Sequence, residues 1–348
     1  MLLLVGVPAS VILRWQGADP LLIFAAAAIG MIPLAGLLGK ATEHLAERSG
    51  PMVGGLLNAT FGNAAELIIA LVALRAGMVE LVKASITGSI LGNLLLILGL
   101  AFVTGGLRNP ILRFNRTAAG MSAAMLALAV GGLVFPALFH LLHPGTAAER
   151  IGTSELRLTE AVAILLAVTY LASLWFSLKT HRSVFAVEHG AGPLAGLWKV
   201  RTAVLVLAVA TAAVVVESEI LVASIEPVMR RVGLSETVLG LILIPLIGNA
   251  AEHGAAVTVA RAGKIDLSLQ IALGSSTQIA LLVAPLLVFA GLAVGHPMSL
   301  LFTPLELVAV GIATGVVALI TLDGESHWLE GVQLLALYGM IVAAAFFL

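Results

Sequence analysis

The pentapeptide Gly-Asn-Ala-Ala-Glu occurs twice, as Gly62–Glu66 and as Gly248–Glu252. A carboxylate, an amide and a helix-weakening glycine together present hard oxygen donors. Those are the ligands that Ca²⁺ takes, six to eight at a time. The same carboxylate can instead hold a proton. Asn63 and Glu66 are spaced i, i+3, as are Asn249 and Glu252, so each pair projects from one helix face. Pro245, just before the second copy, weakens its helix further and frees backbone carbonyls. More polar residues follow each copy: Ser85, Ser89 and Asn93 at spacing four, and Ser275 with Gln278 at spacing three. His253, beside Glu252, reads either as a proton relay near neutrality or as a hydrogen bond to a neighbouring helix. Ser85 reads equally as an interhelical bond, and Gly54 and Gly240 as close-packing positions. There is no Cys and no His cluster, which leaves a soft-metal site without ligands.

The elements that carry these residues must lie in lipid. Of 348 residues 60% are apolar and only 11% charged, with a net charge of −1. A globule of this size cannot hide so much apolar side chain from water, and no basic surface is present for nucleic acid. Long apolar runs argue for helices and against ten-residue β-barrel alternation. The spans read as 1–16, 20–39, 51–76, 82–105, 116–142, 158–178, 200–224, 234–261, 266–294, 299–321 and 327–348, about 11 helices of an all-α polytopic membrane protein. Alternate loops hold eleven Lys and Arg on the N-terminal side and seven on the other, which places the N-terminus in the cytoplasm and the C-terminus outside. Short loops suggest a prokaryotic plasma membrane, and a homo-oligomer is left open. Glu43, His44, Glu47 and Arg48 read as an interfacial polar linker.

The two motifs belong to a longer repeat. Residues 54–96 align with 240–282 without a gap at an offset of 186, and sixteen of the 43 pairs are identical. Five spans separate the third helix from the eighth, so the second copy is upside down relative to the first. That is a recurring plan of secondary transporters, with the binding site at mid-membrane between the halves. The organisation expected is an extra helix (1–19), a first five-helix repeat (20–180), a linker (181–198) and a second five-helix repeat (199–348). Glu66 and Glu252 then fall near mid-span. There insertion scales charge about 2.5–3.5 kcal/mol for an acidic side chain. Arg75 and Arg261 come two or more turns later, so the neutraliser is a proton or a cation.

These residues resemble a known family. GNAAELIIALVALRAG followed by KASITGSILGNLLLILG, and GNAAEHGAAVTVARAGKIDL followed by ALGSSTQIALLVAP, are similar to the two alpha-repeats of cation/proton exchangers, specifically the Ca²⁺/H⁺ antiporter branch of the cation/Ca²⁺ exchanger superfamily. The resemblance implies that Glu66 and Glu252 are Ca²⁺ ligands that also carry protons. It implies that Asn63, Asn249, Ser89, Asn93, Ser275 and Gln278 line the same cavity, with His253 beside it. Sodium/calcium exchangers of the superfamily carry a different pattern before the glutamate, which points to protons as the counter-ion. The linker has a single acidic residue, Glu188, where many relatives carry an acidic run.

The function expected is therefore exchange of cytoplasmic Ca²⁺ for H⁺, with Ca²⁺ as transported substrate and no cofactor. Glu219 and Glu306 are candidates for an access path or a third proton, and Glu217 and Glu226 are placed near that path. A Na⁺-coupled exchanger and a passive cation channel are the alternatives. An enzyme is not expected: no Gly-x-Ser-x-Gly, no His-Glu-x-x-His and no Cys are present.

Overall fold

The computed structural model describes residues 2–142, 148–181 and 198–347. Expectations for residues 182–197, Glu188 included, lie outside the described residues.

A 3₁₀ turn, Leu2–Val5, leads into α1 (Gly6–Trp15). Asp19 then caps α2 (Pro20–Arg48): its side chain accepts from Leu21 N at 2.9 Å, with Pro20 set for the first helical turn. That backbone bond and the neighbouring Arg231 guanidinium hold the Asp19 carboxyl below its usual range. The motif segment of the first copy is two short helices, α3 (Gly50–Phe61) and α4 (Ala64–Arg75). The chain continues through α5 (Val79–Gly106), α6 (Arg116–Leu142), α7 (Ala148–Trp175, extended by a π turn at Phe176–Thr180) and α8 (Val200–Val232). The second motif is again divided, between α9 (Glu236–Gly248) and α10 (Ala250–Arg261), which meet at a 63° bend. Then come α11 (Ile265–Val294), α12 (Pro304–Ile320) and α13 (Trp328–Phe346). Seven of these helices are long and apolar enough to cross a membrane, and the bent pair makes an eighth span; α1 and α12 are shorter apolar helices. The protein is an integral membrane protein. The departure from an all-helical chain is a two-residue antiparallel pairing of β1 (Leu112–Arg113) with β2 (Glu325–Ser326).

Three sequence expectations need correction. Residues 41–48 are not a linker: α2 runs on to Arg48, because Ala, Thr, Glu, His and Leu there supply no breaker and the polar turns can project beyond the hydrocarbon. The spans 51–76 and 234–261 are each broken at the motif. The span read as 200–224 runs on: α8 extends to Val232 and stops only at Gly233, left-handed at φ 74°, which puts Glu217 and Glu219 well inside the helix.

Burial sorts the helices. The apolar window of α5 is 83% buried and that of α11 is 56%, whereas those of α6, α7 and α13 are 22% buried. The helices that follow each motif therefore form the centre, and the others spread their apolar faces to lipid. Contacts between backbones are close where small residues allow them. A methyl group placed on Gly88 of α5 would lie 2.2 Å from the Leu241 carbonyl oxygen, and one on Gly240 of α9 would lie 2.7 Å from Ala84 Cβ. The two glycines thus let α5 and α9 cross in close contact.

Polar loops tie the ends. Arg108 Nη1 donates to the Arg261 carbonyl at 3.2 Å, Asn115 N donates to Asp266 Oδ1 at 2.6 Å, and Arg113 pairs with Glu325 at 3.1 Å. Asp19 and Arg231 join α2 to α8 at the other end of those helices from Lys40 and Lys199.

Candidate ion-binding site

Each motif interrupts its helix at the asparagine. Asn63 sits at φ −101°, ψ 31° between α3 and α4, and Asn249 at φ −89°, ψ 3° between α9 and α10. Neither is part of a continuous helix, so the shared-face argument from i, i+3 spacing does not describe them. Instead each asparagine occupies the N-cap position of the half-helix whose first turn holds the glutamate, its side chain turned to another helix rather than to the cap. The positive end of that half-helix favours an anionic group there. The carbonyl of Pro245 itself accepts the Asn249 backbone N–H at 2.9 Å and the side-chain Nδ2 at 3.1 Å. Both half-helices end alike, in Arg-Ala-Gly, with Gly77 and Gly263 each at φ 81°.

The side chains of one motif are held by the helix that follows the other. Ser275 Oγ of α11 donates to Asn63 Oδ1 at 2.8 Å. Asn249 Nδ2 donates to Ser89 Oγ of α5 at 3.1 Å. Shifted by 186 residues, the first pair becomes the second. Asn93 Nδ2 donates to Ser275 Oγ at 3.0 Å and closes the chain Asn93–Ser275–Asn63. All five of these residues are buried.

The carboxylates lie in the same place. Glu66 and Glu252 are within Coulombic reach of each other, and Ser275 lies beside Glu252. A methyl group on Gly248 would lie 3.2 Å from Glu66 Cγ, so the second motif's glycine is the wall against which the first motif's glutamate rests. One on Gly62 would lie 3.5 Å from Gln278 Oε1, which brings Gln278 to the first motif. Glu66 is 8% exposed, and Glu252 is partly exposed. No salt bridge to Lys or Arg is formed by either among the described residues. Asn249 Oδ1 and Glu252 Oε2 are buried with no hydrogen-bond partner among the described residues, two oxygen donors of the kind a hard cation takes. His253 is buried too, and its Nε2 has no partner.

The remaining candidates fall elsewhere. Glu219 is exposed on α8. Glu226 is paired with Arg230 one turn on. Glu306 is 3% exposed and forms a capping box at the start of α12: Thr303 N and Oγ1 donate to its Oε2 at 2.8 and 2.7 Å, and Thr87 Oγ1 of α5 donates to its Oε1 at 2.9 Å. Oε2 thus closes the cap of α12, and Oε1 fastens α12 to the central helix at Thr87, two residues before Ser89. Thr-Pro-Leu-Glu before an apolar run is the sequence signal for such a box.

Two features of the site had little signal in the sequence. The central helices each carry a π turn at the site, Gly92–Ile97 in α5 and Ile279–Val283 in α11, which re-aims the side chains around Asn93 and Gln278. Gly92 is a faint hint of the first, and nothing marks the second. Gly248 as a wall follows from the doubled motif, but only once the two copies are known to face each other.

Comparison with known proteins identifies the family. Residues 20–179 and 202–347 match the sodium/calcium exchanger protein family. The Ca²⁺/H⁺ antiporter of Synechocystis sp. is 44% identical, with 100% of this chain and 96% of that protein aligned. The Ca²⁺/H⁺ antiporter ChaA of Bacillus subtilis is 41% identical over 100% and 98%. The structure of native YfkE superposes with a TM-score of 0.85 at 38% identity, covering 99% of this chain and 98% of that one. The H⁺/Ca²⁺ exchanger CAX, at 15% identity and a TM-score of 0.71 over 99% and 90%, shares the fold. With both halves matched and relatives this similar along their whole length, the chain belongs to the sodium/calcium exchanger protein family.

Proposed function

We propose that this protein exchanges Ca²⁺ for H⁺ by alternating access, with one Ca²⁺ and two protons competing for Glu66 and Glu252. The observation that carries this reading is the crossed pair of bonds, Asn63 with Ser275 and Asn249 with Ser89, around two carboxylates that have no basic partner. The names of the relatives, Ca²⁺/H⁺ antiporters, support the same choice of ions.

The mechanism follows from charge. Once the site is occluded from water, two carboxylates cannot both stay ionised and empty without a large desolvation and repulsion cost. One Ca²⁺ or two protons neutralise them equally. A loaded site can therefore be occluded and passed between the two faces, while the empty, doubly charged site resists occlusion, and this enforces exchange. Asn63, Asn249, Ser89, Asn93, Ser275 and Gln278 complete the ligand shell, and His253 passes protons to Glu252. Residues 20–180 and 199–348 act as the two inverted halves, with α1 outside both, and the breaks at Asn63 and Asn249 let the half-helices pivot. Glu219 lies on an access path. The site operates in a prokaryotic plasma membrane with the N-terminus cytoplasmic, so that an inward proton gradient drives Ca²⁺ out.

Reconstitution in liposomes tests the reading. A pH jump should drive ⁴⁵Ca²⁺ uptake against its gradient, and an equal Na⁺ gradient should not. Flux driven by Na⁺ would assign the sodium-coupled alternative, and Ca²⁺ flux indifferent to pH would assign a channel.

A further inference from the structure

A third carboxylate is sealed in the bundle outside the two motifs. Glu217, in the middle of α8, is 0% exposed, as is Ser10 of α1 beside it. Ser10 Oγ lies 2.7 Å from Glu217 Oε1 and 2.8 Å from the Val7 carbonyl oxygen. Glu217 Oε2 is buried with no partner among the described residues. Three elements pack against α8: α1, α2 and α4. Their charged and titratable groups are Arg14 on α1, which is exposed; Lys40, Glu43, His44, Glu47 and Arg48 in the last turns of α2; and Glu66 and Arg75 on α4. None of them forms an ion pair with Glu217.

Counting hydrogens decides the state of this contact. A serine hydroxyl has one hydrogen to give, and an ionised carboxylate has none. If Glu217 were ionised, Ser10 Oγ would face two acceptors with a single hydrogen. One of the two short contacts would then be oxygen against oxygen, and a full charge would sit in an apolar interior without a counter-ion. If Oε1 carries a proton, it donates to Ser10 Oγ, which in turn donates to the Val7 carbonyl. Both contacts are satisfied and the charge is gone.

We propose that Glu217 is a further proton-binding site, a carboxylic acid that donates to Ser10 and so pins α1 to α8, and that its ionisation releases α1. The pinning reaches beyond the two residues. α1 is set tightly on α2, where a methyl on Gly6 would lie 2.5 Å from Gly30 N, and α8 packs along α2. One bond thus closes a three-helix unit. Once charged, Glu217 is an unpaired ion in an apolar contact, and α1 must part from α8 to let water reach it.

The test uses the whole protein in Ca²⁺-free lipid nanodiscs, so its outcome is independent of the exchange reading. Infrared difference spectra across a pH titration should show a protonated-acid C=O band at neutral pH. That band should be lost in Glu217→Gln, displaced in Ser10→Ala, and unaltered when Glu66 and Glu252 are both replaced by Gln. Loss of carboxylate bands in place of the acid band in Glu217→Gln, or no displacement in Ser10→Ala, overturns the proton site. Hydrogen exchange tests the pinning. After correction for intrinsic chemistry, α1 amides should lose protection at alkaline pH in the wild type. They should keep it in Glu217→Gln, whose amide donates to Ser10 at every pH. Identical profiles in the two proteins overturn the release.

Discussion

The two copies of Gly-Asn-Ala-Ala-Glu share one backbone and differ in surroundings. Both break the helix at asparagine, both place glutamate in the first turn of a half-helix, and both send the asparagine to a serine on the opposite central helix. Yet Glu66 is buried against Gly248, whereas Glu252 keeps partial exposure and an unpartnered oxygen. Among the positions where the copies diverge, four lie beside the motif or the site serine. Leu67 is replaced by His253, Ala59 by Pro245, Gly92 by Gln278 and Asn93 by Ile279. The pentapeptide sets where a carboxylate is presented; its neighbours set how water reaches it. On the proposed mechanism this is a difference of access and not of role.

The largest effect tests that equivalence directly. Glutamine keeps the volume of glutamate and mimics its protonated form but brings no charge to a divalent ion. Glu66→Gln and Glu252→Gln should each reduce pH-driven ⁴⁵Ca²⁺ uptake to background, with folded yield retained. Near-normal uptake in either variant would break the symmetry of roles and leave a single-carboxylate site. Next in size is the pH dependence of binding at equilibrium. Protons and Ca²⁺ compete, so raising pH should tighten Ca²⁺ binding. The slope is about a hundredfold per pH unit where both glutamates are protonated and about tenfold where only one is. A pH-independent affinity, measured by isothermal calorimetry in nanodiscs, would remove competition from the account.

The glycines that face the opposite copy give a smaller and opposed pair of effects. A methyl on Gly248 would press on Glu66 Cγ at 3.2 Å, the flexible part of a side chain, which can yield by a few tenths of an ångström. Gly248→Ala should therefore fold and bind Ca²⁺ about tenfold more weakly, a loss of about 1.4 kcal/mol. A methyl on Gly62 would meet the Asn58 carbonyl oxygen at 2.6 Å, which is backbone and cannot move aside. Gly62→Ala should lower folded yield first, as size-exclusion profiles would show. If both variants behave alike, the difference in surroundings does not matter to function.

Much of this was legible before any coordinates. A period of 186 residues, a carboxylate in each apolar run and the absence of a nearby base identify the pair, because each is a property of residue type and spacing. The start of segment 116–142 is legible to the residue, since the charged Arg113–Arg116 stretch bounds it. What escaped depends on contacts that spacing does not encode. Asn63 was read as sharing a helical face with Glu66, but it stands at a break, and its partner Ser275 lies 212 residues away. The π turns arise where helices cross around Asn93 and Gln278, and a run of Leu, Ile and Val has the same hydropathy with or without them. Charge alone places Glu306 with the transport path; that it also closes the cap of α12 shows only in its contacts.

The serines give the smallest effect and the finest comparison, since they are images of one another in the repeat. Ser275 serves two amides, donating to Asn63 Oδ1 and accepting from Asn93 Nδ2. Its removal strands both in a buried place, and each stranded group costs about 1–3 kcal/mol in the general case. Bonds between membrane helices average nearer 0.6 kcal/mol, because the separated helices also find partners. Ser275→Ala is therefore expected to lose about 1–2 kcal/mol. Ser89 receives one bond, from Asn249 Nδ2, and that amide keeps a second acceptor in the Pro245 carbonyl at 3.1 Å. Nothing is stranded by Ser89→Ala, so about 0.6 kcal/mol or less is expected. Thermal unfolding of the two variants in the same detergent reads the difference. An equal shift in both would mean that the second amide, Asn93, contributes nothing, and the asymmetry between the copies would then rest on the glutamates and glycines alone.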